Sequence, residues 1–290
     1  MQTDSTTERW TGHNGAIYDL AFDELQKSWL SAGGDGLIVR WADSGQGQAI
    51  MHHNEAFFSV AAAAGEVAAG TASGELFVKP TAGETARLPM DPAGLFALLK
   101  LGVDWLTGGG SGQIRFAHAP PLPPLSANPG KIRCFVPGPG GCVFVGTSGG
   151  DGHLIDPIRG TASPPVAHHE GGLYCAHYLE AKGAWVTGGR DGHLRVWKGG
   201  GEQVWSFPAH AGSIYRLIAV GDHIWTASRD KSIKGWRMSD LSMQFKIGPG
   251  AAAHTRSVNA LAGRLLEDGR TELLSGGDDR LVLRHKITTS

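Results

Sequence analysis

The chain is built of short apolar alternations punctuated by glycine. In Trp185 to Trp197, WVTGGRDGHLRVW, one apolar run (Trp185, Val186) enters a glycine-rich turn and a second leaves it at Leu194, Val196 and Trp197. Two alternating segments joined by Gly and Asp predict a hairpin of two strands. Upstream, HHEGGLY sets His169 ahead of another alternating segment. The same grammar recurs along the chain, and four apolar slots set the number of copies at seven. Three residues before the His position stand Trp10, Ile50, Leu88, Leu125, Val166, Phe207 and Ala251. Four after it stand Ile17, Phe57, Leu95, Ile132, Leu173, Ile214 and Val258, and seven after it Leu20, Val60, Leu98, Phe135, Ala176, Leu217 and Leu261. Three after the Asp position come Ile38, Leu76, Ile114, Leu154, Leu194, Ile233 and Val282. A slot that stays apolar in every copy is a packing position.

The polar positions are kept unevenly. Repeat one has His13, Ser31, Asp35 and Trp41; repeat five has His169, Thr187, Asp191 and Trp197; repeat six has His210, Thr226, Asp230 and Trp236. Repeat seven has His254, Ser275 and Asp279, with His285 where Trp is expected. Repeats two to four are eroded at the His, Asp and Trp places: His53, Ser73 and Lys79; Asp91, Ser111 and Ala117; Asn128, Asp151 and Pro157.

A period of about 40 residues holding about four short strands is the signature of a propeller blade. With His, Ser/Thr, Asp and Trp at these offsets, the chain resembles the WD-repeat family over roughly residues 4 to 286. No repeat carries the literal Trp-Asp pair, since Trp41, Trp197 and Trp236 precede Ala42, Lys198 and Arg237. The resemblance implies an all-β, seven-bladed WD-repeat propeller occupying residues 1–290 as one domain. It also implies that the strand before the first His, which carries Trp10, closes the ring as the fourth strand of the last blade. Closure removes edges that would otherwise pair with other chains. The proline-rich AHAPPLPPLSANP between repeats three and four predicts a ragged outer strand there, because Pro has no backbone donor.

Composition narrows the function classes. Three cysteines (Cys134, Cys142, Cys175) without C-x-x-C spacing point to a reducing, cytoplasmic setting and no disulfide framework. The polar start MQTDSTTERW lacks a signal-peptide core, and no apolar run reaches the length of a membrane span. A net charge of −1 gives no global footprint for nucleic acid.

A His, a hydroxyl and an Asp could suggest a hydrolytic triad. The set recurs in several repeats, however, with the hydroxyl always four residues before the Asp, which reads as a hydrogen-bonded chain inside each blade: His13, Ser31, Asp35, Trp41; His169, Thr187, Asp191, Trp197; His210, Thr226, Asp230, Trp236; and His254, Ser275, Asp279. Five of the thirteen histidines fill His positions and no pair has zinc-finger spacing, so neither metal nor cofactor is expected. The informative residues are those the fold does not require. By the resemblance, the residue after the first apolar of each inner strand projects onto the top face: Tyr18, Phe58, Phe96, Arg133, Tyr174, Tyr215 and Asn259, five of them aromatic. The residue before the structural Asp reaches the same face, and there Arg190, Arg229 and Asp278 stand out against Gly or Ala elsewhere. Arg190 and Arg229 are expected to lie over Tyr174 and Tyr215. Tyr and Arg often dominate interface energies. The expected function is a non-catalytic, monomeric scaffold binding a protein or peptide through this face. The alternatives are a propeller enzyme or small-molecule binder using the central channel and, less favoured, a single-stranded nucleic acid binder.

Overall fold

The computed structural model describes residues 5–126, 129–250 and 253–289; Asn128 and Ala251 lie outside them. Each repeat folds as one antiparallel sheet, seven in all. The inner strands, in chain order, are Ile17–Asp23, Phe57–Ala63, Leu95–Leu101, Ile132–Pro137, Leu173–Leu179, Ile214–Val220 and Val258–Leu265. Each packs against the next, and the last packs against the first, so the sheets form a ring. The residues four after the His position, from Ile17 to Val258, are all exposed by 1% or less. Burying such a side chain contributes about 1.5–3 kcal/mol, and its place at the start of each inner strand seats one blade on its neighbour. Among the described residues no helix is long and apolar enough to cross a membrane.

The outermost strand of the seventh sheet is Ser5–Trp10, which pairs antiparallel with Val282–Ile287 and sets Trp10 opposite Val282. Trp10 is buried and stacks on Trp41 of blade one at 5.7 Å between ring centroids.

Proline decides the outer strands of blades three and four. Among the described residues blade three has three strands, with a single bridge between Arg115 and Pro121 beyond them. In blade four the outer edge is broken into Thr161–Ala162 and Ala167–His168, on either side of Pro164 and Pro165. A residue without an N–H cannot continue a ladder.

Several of the expected slots are filled differently. In blade four the ladder pairs Ile132 with Thr147 and Gly146 with Gly152, which puts Gly149 in the structural Asp place and Gly152, not Leu154, in the apolar slot. The Trp place there belongs to Ile155, which is buried, and not to Pro157. Asp151 instead bonds the neighbouring imidazole, His168 Nδ1, at 2.8 Å. The cause is packing: a Cβ on Gly152 would sit 2.4 Å from the Phe144 ring, which fills the slot from the adjacent strand. In blade six the residue opposite Ile233 is Ile247, and in blade one Met51 rather than Ile50 faces Ile38, where the ladder slips by one residue. In blade three Leu122, rather than Leu125, donates its N–H to Ile114 at 2.7 Å.

Candidate functional site

Immediately after its first buried apolar residue, every inner strand carries a β-bulge. The ladder to the adjacent strand skips one residue in each blade: Tyr18, Phe58, Phe96, Arg133, Tyr174, Tyr215 and Asn259. A bulge frees one residue from the alternation of the strand and re-aims its side chain. These seven side chains are half-buried and converge on the ring axis. Tyr18 meets Phe58 edge-on at 5.2 Å, and Phe58 stacks on Phe96 at 5.0 Å. The Arg133 guanidinium lies over Phe96 at 5.5 Å and Tyr174 at 4.8 Å, and Tyr174 stacks on Tyr215 at 5.9 Å. Asn259 donates to Asp278 at 2.7 Å and to the Ile17 carbonyl at 3.2 Å. Aromatic pairs at such distances contribute about 0.5–1.5 kcal/mol each beyond area burial.

This rim surrounds a cavity of about 290 Å³ lined by the side chains of blades one to four, six and seven. A second cavity of about 230 Å³ shares Phe96, Arg133 and Arg216 with it and is lined by residues from all seven inner strands, so it is the axial channel. The residue before the structural Asp faces the same end. Asp278 lines the mouth, and a Cβ on Gly34 in that slot would approach the Tyr18 ring to 3.2 Å. Arg190 and Arg229 are exposed, but the cation over Tyr174 is Arg133 from the neighbouring blade, not Arg190. Among the described residues neither Arg190 nor Arg229 lies over a ring. Long side chains at the outer end of the bulge leave the ring faces to the cation rooted on the inner strand.

Two charged residues of the channel escaped the sequence reading. Arg216 Nη2 donates to Asp19 Oδ1 at 2.7 Å, and Asp19 also accepts the backbone N–H groups of Leu20 and Val60, both at 3.0 Å. Burial opposes the Arg216 charge, but the Asp19 carboxylate outweighs it and holds the pKa above the ordinary value. For Arg133 burial, followed by the Arg216 charge, pushes the pKa down. A signal was present: each residue directly follows a bulge residue, at a place where five other blades carry Ser59, Ala97, Cys134, Cys175 and Ala260. Burial raises the Cys134 thiol to about 11 and the Cys175 thiol higher still, so both channel cysteines stay protonated and unreactive at neutral pH.

Away from the axis, four blades contain a buried polar chain. In blade five Trp197 Nε1 donates to Thr187 Oγ1 at 2.8 Å, Thr187 lies 2.7 Å from His169 Nε2, and His169 Nδ1 lies 2.9 Å from Asp191. The same order holds for Trp41, Ser31, His13 and Asp35 and for Trp236, Thr226, His210 and Asp230. In blade seven His285 Nε2 replaces the indole, 3.1 Å from Ser275, which reaches His254 and then Asp279. A Trp donor at one end and a carboxylate at the other orient the hydroxyl and imidazole between them, and the ring atoms a substrate would need are occupied. Blade three inverts the set: Ser111 Oγ donates to Asp91 at 2.5 Å, with Asp in the His place.

Asp191→Ala is expected to cost about 2–3 kcal/mol, because it removes the carboxylate shared by a fully buried imidazole and by Arg195. Ser111→Ala loses one bond at an exposed residue whose backbone N–H still reaches Asp91, and should cost well under about 1 kcal/mol. Equal losses in urea titrations would contradict this reading. The same chains predict acid lability. Burial lowers the pKa of His169 and His210, and takes His285 down to about 3. Burial alone would raise the Asp191 and Asp230 carboxyls, but their His hydrogen bonds, together with Arg195 beside Asp191 and Ser232 beside Asp230, outweigh it and hold both below the usual range. All these folded-state values lie below the unfolded ones, so the stability they contribute is complete above about pH 6.5. It is lost progressively as pH falls, first through the histidines and below about pH 4 through the carboxylates.

The WD40 family, described as WD domain, G-beta repeat, matches residues 165–198, the inner three strands of blade five and the segment leading into them. The crystal structure of the WD40 beta propeller domain of Doa1 superposes with a TM-score of 0.81 over 98% of this chain and 97% of that one, at 13% sequence identity. No curated protein sequence matches the chain. The class is thus a seven-bladed β-propeller of the WD40 type. Within it, this chain carries a WD40 repeat in its fifth blade and resembles the WD-repeat family. Propellers of this type commonly serve as protein-interaction scaffolds and are typically non-catalytic.

Proposed function

We propose that this propeller is a non-catalytic interaction module that binds a protein or peptide through the face bearing the seven bulge residues. The observation that supports this reading is the convergence of four aromatic rings and a guanidinium on one axial mouth, with a fifth ring, Tyr174, in the channel beside it, at positions the blade ladders leave unpaired. Flat apolar area beside a cation is what interface anchors are made of. Catalysis in the channel is disfavoured because its carboxylate, Asp19, is committed to Arg216 and two backbone donors. Single-stranded nucleic acid is disfavoured by a net charge of −1 and by the small basic set at this face, Lys131, Arg133, Arg190 and Arg229. We place the chain in the cytoplasm as a monomer, one domain over 1–290, with a partner that is neither membrane nor nucleic acid.

Arg190 and Arg229 are exposed and make only backbone hydrogen bonds, to Gly172 and from and to Ser213. Replacing both by Glu should leave the melting temperature within a few degrees of the parent chain and abolish recovery of the partner from a host lysate. Unchanged recovery of the same proteins would refute use of this face.

A further inference from the structure

Among the described residues, one cation on the axis has no counterpart. Arg133 stands on the bulge of blade four, its cation covered by Phe96 from one neighbouring blade and Tyr174 from the other. Its Nε is buried and meets no hydrogen-bond acceptor. No carboxylate of the described residues forms an ion pair with it. Two further charges at the mouth are already committed. Arg216 is paired with Asp19, whose oxygens also take two backbone N–H groups, and Asp278 is held by Asn259. Lys131 is exposed, with its ammonium 4.7 Å above Phe96 at the edge of the mouth.

A half-buried guanidinium whose Nε is shut off from water and left without an acceptor is costly, and proteins rarely keep one without a use. Its fork of N–H donors matches a carboxylate in bidentate geometry. The cavity in front of it, about 290 Å³, is near the lower bound for ligand pockets and suits one inserted side chain rather than a whole small molecule. Charge balance selects the anion. One unpaired guanidinium neutralises one negative charge, whereas a phosphate dianion would need a second buried cation; Arg216 is taken, and Lys131 is exposed at the edge of the mouth.

We infer that the axial mouth receives a single Asp or Glu side chain of the partner peptide, with Arg133 as its cation and Phe58, Phe96 and Tyr215 enclosing its aliphatic stem. The inference rests on the reading of this face as the binding face. Arg190 and Arg229, at the outer end of the blades, then contact flanking parts of the same peptide.

The test uses the full chain with ¹⁵N-labelled arginine, titrated with N-acetyl-glutamate N-methylamide, its glutamine counterpart and N-acetyl-phosphoserine N-methylamide. The Arg133 Nε–H resonance, assigned by its loss in Arg133→Gln, should shift saturably with the glutamate probe and not with the glutamine probe. In lysate capture, Arg133→Gln should lower partner recovery at least about tenfold, which corresponds to about 1.4 kcal/mol. Arg133→Lys, keeping the charge without the fork, should fall between, with melting temperatures unchanged. Tighter saturation by the phosphoserine probe would overturn the carboxylate assignment in favour of phosphate. If no probe moves Arg133 and Arg133→Gln captures normally while the Arg190/Arg229 double variant does not, the carboxylate site is wrong and the binding face stands. If both variants capture normally, the binding-face reading falls too.

Discussion

A chain lacking residues 1–11 should aggregate, or melt far below the full chain. The deletion removes the strand Ser5–Trp10 from blade seven and strips the ladder partner from Val282–Ile287. Trp10 is 4% exposed, and loss of a buried indole alone costs about 3–5 kcal/mol. Two polar ties go with it, Thr7 to His285 Nδ1 at 3.1 Å and Glu8 to Arg284 at 3.4 Å. The newly unpaired edge is an open template for intermolecular pairing, so the defect should grow with protein concentration. A soluble monomer with an unchanged melting temperature would show that this strand does not hold the ring.

Glu272→Ala should cost about 3–5 kcal/mol in equilibrium urea unfolding, the magnitude expected when a buried ion pair loses one partner. Glu272 is fully buried on the second strand of blade seven. Its two oxygens accept from Arg264 Nε and Arg284 Nε, each at 2.6 Å. Arg284, 3% exposed, also reaches Asp43 of blade one, both at the carboxylate and at the backbone carbonyl. Burial opposes the Arg284 charge, but Glu272 first, then Asp43 and Glu8, outweigh it and raise its pKa. Without Glu272 both arginines would depend on Asp43, whose side chain is 74% exposed, and on the partly exposed Glu8. Glu272→Gln keeps one acceptor oxygen and should lie between parent and Ala. A loss within about 1 kcal/mol for Glu272→Ala would mean that solvent, rather than this carboxylate, satisfies the arginines. The cluster joins the last blade to the first, so the variant should also unfold faster.

The eroded repeats show where reading a chain by offsets meets its limit. In blade two the His place keeps His53, but the hydroxyl place is Ala69, so Nε2 pairs with Glu75 at 2.9 Å while Nδ1 accepts the Glu55 backbone N–H. In blade four the run GTSGGDGH offers two alignments that differ by two residues, and both keep strand alternation in phase. Only the ring of Phe144 above Gly152 separates them. The bulge residues were readable because one geometry recurs in all seven inner strands, even though their mutual contacts were not.

By itself the sequence determined the number of blades, the buried residue that starts each inner strand and the four hydroxyl–imidazole–carboxylate chains, and through the WD-repeat resemblance it pointed to the residues that the bulges release. All of these lie at fixed offsets within one repeat, where strand pairing and turn geometry act over some twenty residues. The tertiary structure alone decided which charges meet. Arg216 and Asp19 are 197 residues apart and Arg284 and Asp43 are 241 apart. Closing the ring brings them together, and the same closure leaves Arg133 facing the axis without a partner. No periodicity in the chain encodes such pairs, because they are set by where seven sheets converge rather than by how any one of them is wound.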